Sequence, residues 1–325
     1  MRSANTFFAV AKTASARTAE CSRGGAVIWR PLILPVLAAT LTAAAPAQAQ
    51  EALPHPFRHW IDATAATEPE MQVQRYDEDT FVIRQSIKTN FEGPFLYLLF
   101  GQDRALLIDT GAGGLKIRPT IDALIDTWLS EHSRASIPLV VAHSHSHGDH
   151  HQGDGEFIDR PDTVVVGLKP EEVAGFFGIS HWPDEIGTFD LGGRKLSIIP
   201  TPGHEPAHIM IYDPKTAILL SGDMLYPGRL YVPTDEFSVF IASADRLVAF
   251  KKAHPIRMLL GTHIEMTTTP GKDFPMNAPE HPDERVLELP PSAIDRLAAA
   301  VHRMADAPVV ESEGDFIVYP RPPRQ

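Results

Sequence analysis

The sequence predicts an α/β (α+β) chain in which two mixed β-sheets pack face to face with helices outside. Three observations predict it: short apolar runs bounded by Gly, Pro, Asp or Asn, segments with helical spacing between them, and a series of closely punctuated runs that reads as a meander. Strands that lead into helices, with hairpins between, bury their apolar faces most simply as packed layers.

The elements follow in order. After a Pro-containing lead-in, Phe81–Arg84, Phe95–Phe100 and Ala105–Asp109 read as strands. From Leu115 to His132, the residues Ile117, Ile121, Leu124, Ile125, Trp128 and Leu129 recur at three- and four-residue steps, which predicts an amphipathic helix. Strands are expected again at Leu139–Ala142 and Thr163–Val166. A meander of Lys195–Ile199, His208–Tyr212 and Ala217–Leu220 follows, punctuated by Gly193, Pro200, Pro214 and Gly222. Phe240–Phe250 is expected to be helical, Arg257–Leu260 a buried strand, and Ile294–Met304 helical. No repeat or low-complexity linker divides 70–320, so residues 50–325 are expected to form a single catalytic domain.

Composition narrows the class. The chain has 325 residues, 43% of them hydrophobic, enough to bury a substantial core. Its net charge is -12, and only Arg2, Lys12, Arg17, Arg23 and Arg30 among the first fifty residues are basic, with Glu20 the one acid there. The remaining body is still more acidic and repels phosphate backbones and anionic lipid, so no nucleic-acid partner is expected and a small-molecule substrate is. Oligomeric state is not readable. The single cysteine, Cys21, rules out an intrachain disulfide and leaves no thiolate downstream for a metal site.

Residues 31–45 read PLILPVLAATLTAAA, an apolar run of signal-peptide length followed by the small-residue pattern Ala47-Gln48-Ala49. Residues 1–49 are therefore expected to be a signal peptide, giving a periplasmic or secreted protein with no stable membrane association after cleavage. An uncleaved anchor is the competing reading. Pro31, Pro35 and Pro46 and the short run weigh against it, because a span needs about 20 apolar residues.

The most informative stretch is 140–153, VVAHSHSHGDHHQG, where five His and one Asp fall within nine positions directly after an apolar run. A strand that delivers imidazoles into a Gly-containing turn suits a metal site. A solvated His-rich tract, or polar residues that merely follow a strand, would read the same way locally. The arrangement recurs, however: His204 in Thr201-Pro202-Gly203-His204, Asp223 in Ser221-Gly222-Asp223 and His263 in Gly261-Thr262-His263 each follow an apolar strand. Packing alone does not demand a potential ligand at the same strand end each time.

His145-x-His147-x-Asp149-His150, followed by His204, Asp223 and His263, resembles the ligand set of the metallo-β-lactamase superfamily, and Asp109 in Leu107-Ile108-Asp109-Thr110-Gly111 matches its first motif. The resemblance covers about residues 80–265. It implies an αββα sandwich, the metallo-β-lactamase fold, with two Zn²⁺ ions at one edge: His145, His147 and His204 on one, Asp149, His150 and His263 on the other, and Asp223 bridging. It also implies hydrolysis by a zinc-bound hydroxide, since metal binding lowers the pKa of water from 15.7 toward about 7. Asp149 could in addition orient that nucleophile or take a proton.

Other residues carry two readings. Asp109 either fixes a ligand loop by hydrogen bonds or is a turn-forming Asp. His143 and His151 occupy no matched position and are read as bystanders or as donors to the ligands. His181 and His208 are isolated, so surface or core packing is expected of both. Phe176, Phe177 and Trp182 form either an apolar lid or part of the core.

Departures from the family pattern bear on the substrate. His147 stands where flavodiiron proteins have Glu, which argues for hydrolysis. Asp223 stands where the best-known zinc β-lactamases have Cys or Ser, which makes the chain more similar to glyoxalase II thioesterases, lactonases and phosphodiesterases. The segment after His263 is too short and acidic for the RNA-processing branch. Tyr226 lies three residues after Asp223, the spacing at which acyl-homoserine-lactone lactonases carry a substrate-contacting Tyr; it is either a catalytic donor to the oxyanion or an ordinary strand-end aromatic. Glu205 and Ala207 depart from the common Thr and Gly and are expected to affect the loop more than the ligand. The expected activity is hydrolysis of an ester, lactone or thioester in a small molecule. A β-lactam or phosphodiester substrate, or a non-catalytic zinc-binding protein, are the alternatives.

Overall fold

The computed structural model describes residues 55–323, all within one compact unit, Gln50–Gln325. The expected signal segment, 1–49, lies outside the described residues. In chain order the strands of the first half are β1 (Met71–Asp77), β2 (Thr80–Gln85), β3 (Phe95–Phe100), β4 (Ala105–Ile108), β5 (Leu139–Ala142) and β6 (Thr163–Val165). They form one sheet in sequence order, antiparallel from β1 to β4 and parallel from β4 to β6.

The second half contributes β7 (Gly187–Asp190), β8 (Lys195–Pro200), β9 (Ile209–Asp213), β10 (Ile218–Gly222), β11 (Arg229–Pro233), β12 (Met258–Gly261), β13 (Glu288–Leu289), β14 (Glu311–Ser312) and β15 (Ile317–Arg321). The second sheet has the order β13-β12-β10-β9-β8-β7, and β11-β15-β14 make a small third sheet. The helices are α1 (Arg118–Glu131), the single turn α2 (Gly148–His151), α3 (Pro170–Phe177), α4 (Phe237–Ala253) and α5 (Ser292–Arg303). Among the described residues no helix is long and apolar enough to cross a membrane.

Side-chain alternation builds the layers. On β3, Phe95, Tyr97 and Leu99 point between the two large sheets and meet Leu196, Ile198, Ile209 and Ile211. Leu96, Leu98 and Phe100 point the other way, onto Ile121, Ile125 and Trp128 of α1. On the far side, Met210, Tyr212, Leu219 and Leu259 meet Phe240, Leu247, Leu297 and Val301 of α4 and α5. Three apolar layers separate four structural ones, so the central strands β3, β4, β5, β9, β10 and β12 are buried on both faces and read as nearly continuous apolar runs, while the edge strands β1, β6 and β7 are partly exposed. Each fully buried Leu, Ile or Phe contributes about 1.5–3 kcal/mol relative to exposure.

The predicted strands of the two large sheets are all present, within a residue or two at their ends. Helix α1 starts three residues later than its apolar periodicity, because Pro119 sits in the first turn and Glu156 accepts the N–H groups of Ile117 and Arg118. Phe177 is buried in the inter-sheet core and Phe176 and Trp182 pack against it, which is the core reading of these three.

Candidate metal centre

Strand direction gathers the predicted residues. β4 and β5 run parallel, and β10 runs parallel to β12. β8 shares the direction of β10 because each pairs antiparallel with β9. The carboxyl ends of five strands therefore lie at one edge, and each is followed by a predicted site residue: Asp109 after β4, His145 to His150 after β5, His204 after β8, Asp223 after β10 and His263 after β12. Main-chain bonds stitch the two sheets there, from Ile209 N–H to the Ser144 carbonyl at 2.8 Å and from Phe95 N–H to the Thr262 carbonyl at 2.8 Å.

The side chains collect into two groups, His145, His147 and His204, and Asp149, His150, Asp223 and His263. In the first, His147 Nδ1 stands 2.9 Å from His145 Nε2 and 3.1 Å from His204 Nε2, and the latter two are 3.3 Å apart. In the second, Asp149 Oδ2 is 3.1 Å from His150 Nε2 and 3.2 Å from His263 Nε2. Asp223 spans both. Its Oδ1 lies 3.7 Å from His150 Nε2 and 3.5 Å from His263 Nε2, while its Oδ2 lies 3.8 Å from His145 Nε2 and 3.6 Å from His204 Nε2.

These separations fit a cation. Tetrahedral ligands at about 2.0–2.1 Å from zinc stand roughly 3.3 Å from one another, close to the spacing found within each group. Orientation fits as well, because the outward ring nitrogens are occupied. His150 Nδ1 donates to Asp109 Oδ2 at 3.0 Å, His204 Nδ1 to the Tyr231 carbonyl at 2.7 Å and His263 Nδ1 to the Glu92 carbonyl at 2.9 Å, so each Nε2 faces inward.

Electrostatics divides the two groups. Burial, reinforced by the neighbouring imidazoles, pushes His145 far down, and burial holds His204 at about 4, with Asp223 opposing. Both are therefore held in the neutral form that a metal ligand requires. Burial would lower His263 too, but Asp223 and Asp149 reverse it and raise it to about 10. Burial likewise opposes the ionised forms of Asp149 and Asp223, yet His150 and His263 hold both carboxyls well below the usual range. Two ionised carboxylates in a buried group call for compensating positive charge, which protons or a divalent cation can supply.

Supporting residues surround the groups. Asp109 is fully buried and accepts from Ser144 N–H at 2.7 Å, Ser144 Oγ at 2.9 Å and His150, which is the loop-fixing reading of this residue. It does so from a left-handed backbone, φ 66°. Glu205 accepts from Ala207 N–H at 2.7 Å and Ser146 N–H at 3.4 Å, tying the His204 loop to the His145–His147 loop. His143 is buried against Asp154 at 2.8 Å and stands in neither group; His151 packs edge-on to it. His181 is exposed beside Glu185.

His208 is the functional residue that sequence reasoning missed. It is fully buried, its Nδ1 donates to Thr201 Oγ1 at 2.8 Å and its Nε2 accepts Asp223 N–H at 3.1 Å. Burial keeps it neutral, which acceptance requires. Gly222, at φ 53°, lets the chain turn here; a Cβ on it would come within 2.5 Å of His208 Nε2.

The groups open onto a cavity of about 380 Å³ whose wall includes Glu92, Tyr226, Arg229, Tyr231, Glu265 and Arg321. The Tyr226 hydroxyl donates to the Arg229 carbonyl at 2.6 Å or to Glu265 Oε2 at 3.0 Å. Its single proton is thus engaged in the wall, and donation to an oxyanion would require leaving that network.

The sequence profile of the Metallo-beta-lactamase superfamily matches residues 90–263. The chain belongs to the metallo-β-lactamase superfamily. The two large sheets with their outer helices are the fold of that superfamily, and the matched segment ends on the last predicted ligand, His263. Within the superfamily, the chain is 25% identical over 201 residues to the acyl-coenzyme A thioesterase MBLAC2 of Homo sapiens, covering 52% of this chain and 72% of that one. It is 28% identical over 138 residues to a hydroxyacylglutathione hydrolase of Idiomarina loihiensis, covering 42% of this chain and 48% of the relative. A metallo-beta-lactamase structure from Pontibacter korlensis aligns with TM-score 0.46 and 19% identity, over 71% of this chain and 99% of that one.

Proposed function

We propose that this superfamily hydrolase binds two Zn²⁺ ions and cleaves an ester, lactone or thioester bond of a small molecule, thioesters foremost. The observation that carries the reading is the pair of donor groups sharing Asp223 and facing one cavity. The relatives favour the thioester, since one is named an acyl-coenzyme A thioesterase and another a hydroxyacylglutathione hydrolase. His145, His147 and His204 would hold one ion, Asp149, His150 and His263 the other, with Asp223 shared.

When bound, two such ions supply a nucleophile from water at neutral pH and polarise the scissile carbonyl. The chain supplies the rest. Asp149, at the cavity wall, would orient water or accept its proton. Asp109 and His208 would fix the ligand loops through their hydrogen bonds to His150 and the Asp223 N–H.

Export belongs to the same proposal, with residues 1–49 acting as a signal peptide, residues 50–325 as one catalytic domain, and the protein working in the periplasm or medium. N-terminal sequencing of the mature protein tests this, and an intact N-terminus in the exported fraction refutes cleavage.

The function is tested by elemental analysis of the purified chain together with turnover of S-lactoylglutathione, an acyl-coenzyme A, a lactone, a simple ester, a β-lactam and a phosphodiester. Two zinc ions per chain with turnover of an acyl substrate support the reading. Two ions with no turnover would instead assign a non-catalytic zinc-binding protein.

A further inference from the structure

We propose that Arg321 is an anion anchor, so that the substrate carries a carboxylate or phosphate bound at the β11–β15 wall of the cavity. The proposal rests on the hydrolase reading of the same site. Arg321 ends β15, which pairs parallel with β11 and sets Tyr319 opposite Tyr231 and Arg321 opposite Pro233. Its guanidinium carbon lies 3.7 Å from the centre of the Tyr231 ring and 5.8 Å from that of Tyr319, and the two rings meet edge to face at 5.2 Å. A guanidinium over an aromatic face at this distance is attracted to the ring and can still present N–H groups to an anion.

The neighbouring strand β11 also touches the donor groups, because the Tyr231 carbonyl accepts from His204 Nδ1. An anion on Arg321 is therefore registered against the His145, His147 and His204 group through the β11–β15 pairing and the Tyr231 ring beneath the guanidinium. The cavity has a second arginine, Arg229, but its guanidinium is consumed by Glu265 at 2.6 Å, Asp273 at 2.9 Å and the Phe274 carbonyl at 2.8 Å. Among the described residues no carboxylate pairs with Arg321.

Glu265, in the same cavity, is already paired with Arg229, whereas Arg321 lies over the Tyr231 ring with no carboxylate against it among the described residues. An anionic group held at Arg321 fixes the substrate's direction across the metal groups. Bidentate pairing of guanidinium with carboxylate or phosphate gives the geometry. β15 lies beyond the segment 90–263 that the superfamily profile matches, so membership of the superfamily does not by itself carry this anchor.

The test uses the zinc-loaded full chain and three thioesters with one acyl group: S-acetyl mercaptopropionate, its neutral methyl ester, and S-acetyl mercaptoethyl phosphate. In each, water adds to the carbonyl carbon, the C–S bond breaks, and acetate, thiol and a proton are released, so thiol formation is the readout. Arg321→Ala is expected to lower kcat/KM for the anionic members at least tenfold more than for the methyl ester, mainly through KM, with Arg321→Lys partly restoring it. The carboxylate and phosphate probes tell the two anions apart. Equal losses on charged and neutral thioesters would overturn the anchor.

A binding measurement keeps the anchor testable if no probe is hydrolysed, an outcome that would count against the thioester preference alone. Inorganic phosphate is titrated into the chain and followed by arginine Nε–H nuclear magnetic resonance, with the Arg321 signal assigned from its loss in Arg321→Ala. A saturable shift of that signal supports the anchor, and an unmoved signal refutes it.

Discussion

His208 Nε2 accepts the backbone N–H of Asp223 at 3.1 Å, and so an imidazole outside both donor groups sets the direction of the residue they share. His208→Ala removes the acceptor and the link to Thr201. Loss of such a supporting contact typically costs about 10–100-fold in metal affinity or activity. We expect a drop of that size in kcat together with reduced metal content by elemental analysis. Full activity with a full metal complement would show that Asp223 needs no such support.

Removal of metal should affect both turnover and folding stability. A strong chelator is expected to abolish hydrolysis and to lower Tm, because ions that bind only the folded chain stabilise it by mass action. Readdition of zinc should restore both. Activity that survives complete demetallation, confirmed by elemental analysis, would defeat the metal-dependent mechanism.

Tyr226→Phe separates wall from catalyst. The phenol proton goes to the Arg229 carbonyl or Glu265, so its loss should cost roughly 1 kcal/mol of stability. The expected fall in kcat is under about tenfold, whereas loss of an oxyanion donor typically costs about 10²–10³. A fall in that larger range, at unchanged metal content, would assign Tyr226 the catalytic role.

Glu288 provides a pH test away from the metals. It is buried in β13, its Oε1 has no hydrogen-bond partner, and His55 Nδ1 stands 4.0 Å away. Burial raises its pKa above the ordinary carboxyl value. Folding therefore favours the protonated form: the stability is full below the unfolded value of about 4.3 and is lost as pH rises through the folded value. Glu288→Gln should raise Tm at pH 8, with the gain shrinking toward pH 4. A gain that does not depend on pH would refute this account.

The ligand groups were legible because buried strands leave a plain signature, an apolar run followed at once by His or Asp, and the order of these signatures matched one superfamily. What the sequence did not disclose depends on contacts between distant segments. β11 and β15 pair across residues 229–233 and 317–321, so neither shows a local pattern that announces the third sheet or places Arg321 at the cavity. His208 looked like an isolated strand residue, since its value depends on the left-handed turn at Gly222 that brings the Asp223 N–H to it. α3 was missed for a different reason. Pro170 followed by Glu171 and Glu172 is a helix-start signal in plain view, but the segment is too short for apolar periodicity to declare itself.

Two of the inward-facing imidazoles, His204 and His263, are clamped by peptide carbonyls, those of Tyr231 and Glu92, and not by side chains. A carbonyl is supplied by any residue with the same backbone path. The identities of positions 92 and 231 can therefore drift, recolouring the wall of the cavity, while the grip on the two imidazoles stays as it is. Selectivity and reactivity are in this sense separately inheritable, and variants at these two positions are the natural place to redirect the enzyme without rebuilding it.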